Sequence, residues 1–493
     1  MWRAVIAIIF ATQASSQVVF EDLSDRLFPH VYDGGWEHFV GGGLAVFDCN
    51  QDGNADVFAA GGINPSSLFI NRGGFEFDRS PELEVLGTVG AYPLRFDEDI
   101  HPDLFVLRVG RNMLLRGLGG CEFEDITDEM AIPENQRWST AFSAWWNEKE
   151  ALPTLAVGNY VDREDPDGPF EACDENTLLR PEGGRYQRVP LTPGFCPLSI
   201  LAAKDARGVP TLRISNDRHY YVSGGYEQMW DIQTGEYLNE SDGWNKVSLW
   251  GMGIASRDLD GDGRDEVMLT SMGDQLMQLS NPDGTYRAAP FDLGTYAQRP
   301  HVGGDGRPST GWHAEFGDVN NDGFADLFIA KGNVDQMPGM ATRDPNNLLL
   351  QKDDGTFVEV SSEAGVAAFE RSRGGALVDF DNDGRLDLLV SNRRAPLELY
   401  RNVTENAGNW LKISLQQDGP NPDAIGSTIY VESHGRKQSQ QQIVGGGHAG
   451  GQLLPRHFGV GSSEKVDVTV EWPDGSETIL STATNQIITV QEP

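Results

Sequence analysis

The sequence is poor in basic residues. It has 38 Lys and Arg against 74 Asp and Glu, which gives a formal net charge of -36 over 493 residues. A protein this acidic repels polyanions such as nucleic acids and the surfaces of anionic membranes. We therefore expect no nucleic acid and no anionic membrane as a partner.

Long hydrophobic runs are also missing after the first residues. The run AVIAIIFAT follows Met-Trp-Arg and is too short to span a bilayer. A basic start, an apolar core and small residues at Ala14 and Ser16 are typical of a signal peptide, predicted over residues 1–16 with cleavage before Gln17. The mature protein is expected to be secreted and extracellular, or in the periplasm or at the cell surface if the source is bacterial.

Cysteine is scarce, with four residues in the chain. Cys173 and Cys196 flank an insertion rich in Pro and Gly and can close it as a disulfide in an oxidising compartment. For Cys49 and Cys121 two alternatives stay open, a disulfide between neighbouring repeats or burial as free thiols.

Recognisable catalytic motifs are absent as well. The sequence contains no H-E-x-x-H, G-x-S-x-G or C-x-x-C. His457 lies in an apolar strand, where a structural histidine bonded to the backbone is expected. Trp36–His38 and Trp312–His313 precede acidic loops and are either ligand-facing or packed, and packing is favoured. The histidines are scattered: His30, His38, His101, His219, His301, His313, His434, His448 and His457.

Four short acidic loops are the main positive feature of the chain. They begin at Asp48, Asp258, Asp318 and Asp379. Positions 1, 3 and 5 are Asp or Asn, position 6 is Gly and position 9 is Asp or Glu. Such a tight turn directs several oxygen atoms at one centre, the ligand type that Ca²⁺ prefers. The loops predict about four structural calcium sites.

The proposed ligands occupy positions 1, 3, 5, 7 and 9. An EF-hand would also need a Glu at position 12 and a helix on each side, but position 12 here is apolar and lies in an aliphatic run. Each loop is therefore expected to join two strands. The candidate metal residues are Asp48, Asn50, Asp52, Asn54, Asp56, Asp258, Asp260, Asp262, Arg264, Glu266, Asp318, Asn320, Asp322, Phe324, Asp326, Asp379, Asp381, Asp383, Arg385 and Asp387.

The loops also define a repeat of about sixty residues. Three degenerate copies fill the gap between the first and second loops, so seven units begin near residues 48, 97, 147, 204, 258, 318 and 379. Four short strands per unit predict an all-β protein with a seven-bladed β-propeller. The segment VVFEDLS is expected to close the ring by pairing in the last unit. The degenerate copies keep Asp97, Asp99 and Asp103, then Asn147, Glu148 and Glu150, then Asp205.

The segment after Arg401 has a different pattern. It lacks acidic loops and alternates in stretches such as KVDVTVEW and QIITVQE, which predicts a small antiparallel β-sandwich of five or six strands. The expected domains are the signal peptide over 1–16, the propeller over 17–405 and the sandwich over 406–493.

Two sets of motifs resemble known families. The acidic loops with their outer hairpins, such as SLFINRGGFEF, are similar to FG-GAP or VCBS repeats. The segments Asn409–Leu411, Ala424–Gly426, His457–Gly461 and Trp472–Gly475 resemble the ASPIC/UnbV domain. Together they resemble the cartilage acidic protein family, and this resemblance implies a matrix or adhesion role. Glu266 replaces the usual Asp of its loop, and units two to four have lost the full ligand set.

The expected function is that of an extracellular binding or adhesion module. The ligand would be a protein or a glycan, calcium would be structural, no catalytic residue is assigned, and a monomer is expected. The eleven Trp can offer a sugar-binding surface, although core packing is expected for most. The alternative is an extracellular carbohydrate-active lyase or dehydratase, which would need His and carboxylates converging on a metal in a central channel.

Overall fold

A computed structural model describes residues 17–81, 83–97, 99–147, 150–166, 172–217, 225–273, 275–296, 307–335 and 337–493. The predicted signal peptide, Glu148, His219 and His301 lie outside these residues. The described chain is all-β, as predicted. Its helices are single turns, the 3-10 helices Ser24–Arg26, Trp36–His38, Glu240–Asp242 and Phe291–Leu293 and the α-helix α1 (Ser361–Ala364).

Each predicted unit corresponds to one four-stranded antiparallel sheet, numbered here 1 to 7 in chain order. After β1 (Phe20–Asp22), sheet 1 contains β2 (Leu44–Phe47), β3 (Asp56–Ala59), β4 (Ser67–Asn71) and β5 (Phe77–Ser80). Sheet 2 contains β6 (Thr88–Leu94), β7 (Asp103–Arg108), β8 (Met113–Gly119) and β9 (Glu122–Asp125). Sheet 3 contains β10 (Ser139–Trp145), β11 (Thr154–Asn159), β12 (Asn176–Glu182) and β13 (Arg185–Leu191).

The remaining repeat sheets have the same order. Sheet 4 contains β14 (Pro197–Lys204), β15 (Pro210–Asn216), β16 (Gln228–Asp231) and β17 (Glu236–Tyr237). Sheet 5 contains β18 (Gly251–Arg257), β19 (Glu266–Ser271), β20 (Leu276–Ser280) and β21 (Tyr286–Ala288). Sheet 6 contains β22 (Gly311–Gly317), β23 (Asp326–Lys331), β24 (Asn347–Gln351) and β25 (Phe357–Glu359). Sheet 7 contains β26 (Ser372–Val378), β27 (Asp387–Asn392) and β28 (Glu398–Asn402), completed by β1.

The N-terminal strand closes the cycle of sheets. β1 pairs antiparallel with β28, with Phe20 opposite Asn402, which confirms the expected pairing in the last unit. The first strand of each sheet contacts the first strand of the next, and β26 contacts β2. Apolar side chains that alternate along these strands fill the space between neighbouring sheets.

Both cysteine pairs form disulfides. Cys173–Cys196 closes the insertion after β11, as the sequence predicted. Cys49–Cys121 joins the acidic loop of sheet 1 to the outer hairpin of sheet 2. The alternative of free thiols at Cys49 and Cys121 was therefore wrong, because the neighbouring sheets bring these two residues together.

The C-terminal segment forms two further sheets around one apolar core that includes Trp472. They contain seven strands rather than five or six, and the last strand, Gln486–Gln491, runs parallel to the first, Asn409–Gln416, instead of antiparallel. The strands are β29 (Asn409–Gln416), β30 (Thr428–Ser433), β31 (Arg436–Gln441), β33 (Arg456–Gly461), β34 (Lys465–Glu471), β35 (Glu477–Ala483) and β36 (Gln486–Gln491), with β32 (Gly451–Leu453) lying apart from them.

Residues 444–453, here named the insert, leave the C-terminal sheets and enter the cycle of repeat sheets. β32 pairs parallel with β2, so sheet 1 gains a fifth strand. Single bridges join the insert to the first strands of sheets 2 to 5, namely Gly450 to Ala91, Val444 to Ala144, Gly445 to Leu201 and Gly447 to Ile254. The insert therefore ties five sheets to the C-terminal segment. Among the described residues, no helix has the length and apolar character to cross a membrane.

Candidate metal centres

The four acidic loops share one backbone geometry. Each lies between the first and second strands of its sheet, and its position-6 glycine has a φ between +84° and +92°, a conformation that favours glycine. The amide of that glycine donates a hydrogen bond to the position-1 carboxylate in every loop. The distances are 2.8 Å from Gly53 to Asp48, 3.0 Å from Gly263 to Asp258, 2.7 Å from Gly323 to Asp318 and 2.8 Å from Gly384 to Asp379.

Two of the loops bring three carboxylates together. In the loop of sheet 5 the oxygens of Asp258, Asp260 and Asp262 lie within 4.8 Å of one another. In the loop of sheet 7 the same holds for Asp379, Asp381 and Asp387. Carboxylates at this separation repel one another in the absence of a cation, and oxygen donors suit a hard divalent ion.

The loops of sheets 1 and 6 contain fewer carboxylates because Asn replaces Asp at position 3. Asn50 donates to Asp52 at 3.0 Å, and Asn320 donates to Asp322 at 2.9 Å. Positions 3 and 5 are therefore adjacent in these loops as well. Burial raises the pKa of Asp318 and of Asp322, and the charge of Asp322 also raises the pKa of Asp318.

The acid at position 9 has a role that the ligand spacing did not reveal. Its carboxylate accepts hydrogen bonds from a loop amide and from an amide at the third strand, so it ties the loop to the sheet. Asp56 accepts from Cys49 and Asn71, Asp326 from Val319 and Gln351, Asp387 from Phe380 and Asn402, and Glu266 from Leu259 and Ser280. Burial raises the pKa of Asp56 and of Glu266 to about 7.

The side chains at position 7 offer no oxygen ligand in three of the four loops. Arg264 and Arg385 turn back and form ion pairs with Asp262 and Asp383 at position 5. The guanidinium of Arg436 lies over the ring of Phe324, and its Cζ is 3.6 Å from the ring centroid. A cation at these loops would therefore use the backbone carbonyl of position 7.

The three degenerate units lack a comparable cluster in the described residues. Asp103 in unit two keeps only the tying role, accepting from Phe96 and Gly117. Asn147 donates to Glu150 at 2.9 Å in unit three. In unit four the carboxylate of Asp205 forms an ion pair with Arg207 at 2.6 Å.

The C-terminal segment contacts three of the acidic loops, which the sequence did not reveal. The ammonium of Lys412 lies 2.5 Å from Asp379, and the hydroxyl of Ser439 donates to Asp258 at 2.7 Å. A β-carbon on Gly459 would lie 2.0 Å from an oxygen of Asp318. These contacts join residues that are far apart in the chain, so no local sequence pattern predicts them.

The loop in sheet 7 offers oxygen ligands of the type that calcium prefers, and three of its carboxylates also pair with Lys412, Arg401 and Arg385. Oδ1 of Asp381 is buried and has no hydrogen-bond partner among the described residues. A buried carboxylate oxygen without a partner is costly, and a cation would satisfy it. Asp379, Asp381, Asp383 and Asp387 would then supply oxygen ligands, together with the Arg385 carbonyl.

The histidine and tryptophan candidates are mostly structural. Trp312 is fully buried and donates to the carbonyl of Gly332 at 2.7 Å. His457 is hydrogen-bonded to the carbonyl of Gly384 at 3.1 Å, as expected for a structural histidine. Trp36 differs because 41% of its surface is exposed. Six of the described Trp are buried, namely Trp138, Trp145, Trp230, Trp244, Trp312 and Trp472.

The insert occupies the centre of the sheet cycle. His448 is fully buried there, and its ring centroid lies 5.0 Å from that of Trp312 with the two ring planes tilted by 58°. The amide of His448 donates to Nδ1 of His313 at 3.2 Å. Burial lowers the pKa of His448 to about 3, so its ring is neutral. The amide of Gly41 donates to Nε2 of His448 at 3.3 Å, whereas Nε2 of His313 lies 3.3 Å from the carboxylate of Glu315.

Two family models match parts of this chain. A family model described as FG-GAP-like repeat matches residues 258–329 and 337–390, and one described as ASPIC and UnbV matches residues 417–493. Cartilage acidic protein 1 of Mus musculus is 32% identical over 130 residues, covering 25% of this chain and 19% of that protein. The Homo sapiens protein of the same name is 27% identical over 183 residues, covering 36% and 27%.

The matched regions thus span about a fifth to a quarter of these curated relatives. Among solved structures, BBS1N in complex with ARL6DN has 11% sequence identity and a TM-score of 0.47, covering 79% of this chain and 98% of that one.

Proposed function

We propose that this chain, which joins FG-GAP-like repeats to an ASPIC and UnbV domain and resembles the cartilage acidic protein family, is a secreted extracellular binding module. In this proposal the seven four-stranded sheets are blades of a propeller, the C-terminal sheets form a sandwich docked on it, and calcium is structural. The two disulfides are in keeping with an oxidising compartment outside the cytosol.

The observation that carries the calcium assignment is the repeated loop geometry. Four loops hold a position-1 carboxylate against a glycine amide in the same way, and two of them place three carboxylates within 4.8 Å. A bound cation would offset this repulsion and make the loops rigid. The C-terminal segment contacts these same loops, so the ions would also support its docking.

We propose that the partner binds at the opposite ends of the sheets. The acidic loops join the first two strands at one end, where Lys412 and Ser439 contact them. Trp36 lies at the other end, because it packs 5.6 Å from Trp138, the residue preceding β10. An exposed aromatic ring beside the ion pair of Glu37 and Arg163 suits a protein surface or a sugar ring.

The proposal is tested with an array of extracellular-matrix proteins and glycans, probed with the full mature chain in calcium buffer and in EDTA. Trp36→Ala is compared with Phe291→Ala, an exposed aromatic after the outer strand β21. We expect Trp36→Ala to weaken the binding of any hit by roughly tenfold or more, as for an interface hot spot, and Phe291→Ala to leave it unchanged. Equal binding by Trp36→Ala and the wild type would disprove this location for the site, and turnover of a glycan would point to the lyase alternative.

A further inference from the structure

We propose that the cavity between the repeat sheets and the C-terminal sheets binds a small dianion, a dicarboxylate or an inorganic oxyanion, between Arg257 and Arg456. The cavity has a volume of about 330 Å³. Its lining includes the last residue of β18, the first residue of β33 and the glycines of the insert. Asp48 and Asp379 of the acidic loops in sheets 1 and 7 also line this cavity, and Arg257 directly precedes Asp258. The anion site is therefore next to the proposed calcium sites, and it goes beyond the proposed function.

The two guanidinium groups have only neutral hydrogen-bond partners in the described residues. Arg257 donates to the carbonyl of Phe316 at 3.3 Å. Arg456 donates through Nε to the side-chain oxygen of Gln442 at 2.7 Å and through Nη2 to the carbonyl of Ile443 at 3.2 Å. Neither has a carboxylate oxygen within 4.0 Å in that part of the chain. Two cations therefore face one cavity without a counter-charge in contact.

Four acids also line the cavity, and each already accepts a hydrogen bond, namely Asp48, Asp265, Glu315 and Asp379. Asp265 accepts from Ser256 at 2.7 Å and from Gln441 at 3.0 Å. Glu315 accepts from Gln452 at 2.6 Å and from the amide of Leu377 at 3.1 Å, and it lies 3.3 Å from His313. These hydrogen bonds hold the carboxylates of Asp265 and Glu315 away from the guanidinium groups.

An anion would relieve an unfavourable charge arrangement. Both guanidinium groups line the enclosed cavity with only neutral hydrogen-bond partners in the described residues. Enclosed charges are costly unless a counter-charge and hydrogen bonds compensate for them. A guanidinium presents a planar set of donors that matches the oxygens of a carboxylate, sulfate or phosphate. The cavity volume is in the range of small-molecule sites.

The experiment measures binding of two probes to the full mature chain at fixed calcium and matched ionic strength. Succinate represents the dicarboxylates, sulfate represents the inorganic oxyanions, and chloride is the control. Both probes bind calcium weakly, so their effect is separable from chelation. We expect at least one of them to raise the Tm and to give a one-to-one titration by calorimetry. The probe that does so identifies the ligand class.

The variants Arg257→Gln and Arg456→Gln locate the site. Each should weaken binding by roughly tenfold or more, since a charge-assisted hydrogen bond contributes about 1.5–3 kcal/mol. Without added anion, Arg456→Gln should be at least as stable as the wild type because the repulsion between two cations at one cavity is removed. Arg456→Lys keeps the positive charge but lacks the planar set of guanidinium donors. It should therefore bind the anion more weakly than the wild type but more tightly than Arg456→Gln. Arg185→Gln, an exposed arginine on β13, is the control and should bind normally.

Three results would overturn the proposal. The first is that neither succinate nor sulfate binds the wild-type chain, which does not depend on any variant folding. The second is that the Gln variants bind as tightly as the wild type. The third is that they lose stability without anion and bind normally once folded, which would assign the arginines a structural role alone.

Discussion

The carbonyl oxygen of Ala449 lies directly against the Cα of Gly90. A β-carbon at Gly90 would be 1.6 Å from that oxygen, closer than any real contact. Gly90 does not have a positive φ, so the close approach of the insert is what requires glycine here. The pair shows how tightly the insert fits among the first strands of the sheets.

Gly90→Ala should therefore destabilise the protein by about 1–3 kcal/mol, the usual cost of overpacking, because the insert or β6 must move. Urea denaturation of the full chain measures this loss. Gly339→Ala is the matched control, since a β-carbon there meets no atom within 4 Å. Equal stability of the two variants would mean that the insert does not occupy this position in solution.

Removal of calcium should lower the Tm by many degrees. At 100 times its dissociation constant, an ion that binds only the folded state adds about 2.7 kcal/mol of stability per site. Differential scanning calorimetry in calcium and in excess EDTA measures the change, and restored calcium should reverse it. An unchanged transition in EDTA would contradict structural calcium.

Asp381→Asn should reduce the stability gained from calcium by about the contribution of one site. Asp381 has a buried oxygen without a partner in the described residues, and its other oxygen pairs with Arg401 at 2.8 Å. The variant and the wild type should therefore differ in calcium and be similar in EDTA. Asp353→Asn, an exposed acid, is the control. A deficit that persists in EDTA would assign the effect to the ion pair with Arg401.

The two disulfides should contribute unequally to the free energy of unfolding. Cys49 and Cys121 are 72 residues apart in sequence, whereas Cys173 and Cys196 are 23 apart. By the loop-entropy relation, the longer cross-link stabilises by about 4 kcal/mol and the shorter by about 3 kcal/mol. Paired Cys-to-Ser variants, compared by denaturant unfolding, measure both. A larger loss for the shorter loop would show that local packing outweighs chain entropy.

Glu227 should make stability fall as the pH rises. It is buried, its Oε1 accepts from the amide of Asn216 at 3.0 Å, and burial raises its pKa from 4.5 to about 8. The folded state then holds a proton that the unfolded state releases, so this stability is complete below pH 4.5 and is lost between 4.5 and about 8. The slope in this window is at most about 1.4 kcal/mol per pH unit.

Urea unfolding of Glu227→Gln across this pH range tests the effect. The stability of the variant should not fall as the pH rises, and it should exceed that of the wild type at the upper end of the window. Glu236→Gln, an exposed acid on β17, should behave as the wild type. A variant that keeps the decline would show that another buried group causes it.

Much of the repeat architecture followed from local patterns. The spacing from Asp258 to Asp318 and on to Asp379 gave the repeat length, and each unit forms one sheet. The N-terminal strand could be assigned because it repeats the sequence of an outer strand. The prediction was weaker for the C-terminal segment, where the parallel pairing of β29 with β36 depends on residues far apart.

The sequence by itself determined the acidic loops, because turn, ligand spacing and flanking strands all lie within a dozen consecutive residues, and hydrogen bonds such as Gly384 to Asp379 form inside that stretch. Only the tertiary structure decided that Lys412 reaches Asp379, that Ala449 abuts Gly90 and that Arg257 shares a cavity with Arg456. Each of these pairs arises from docking of the C-terminal segment onto the sheets. Such contacts depend on how folded surfaces fit together, so the sequence around one residue of a pair does not identify the other residue.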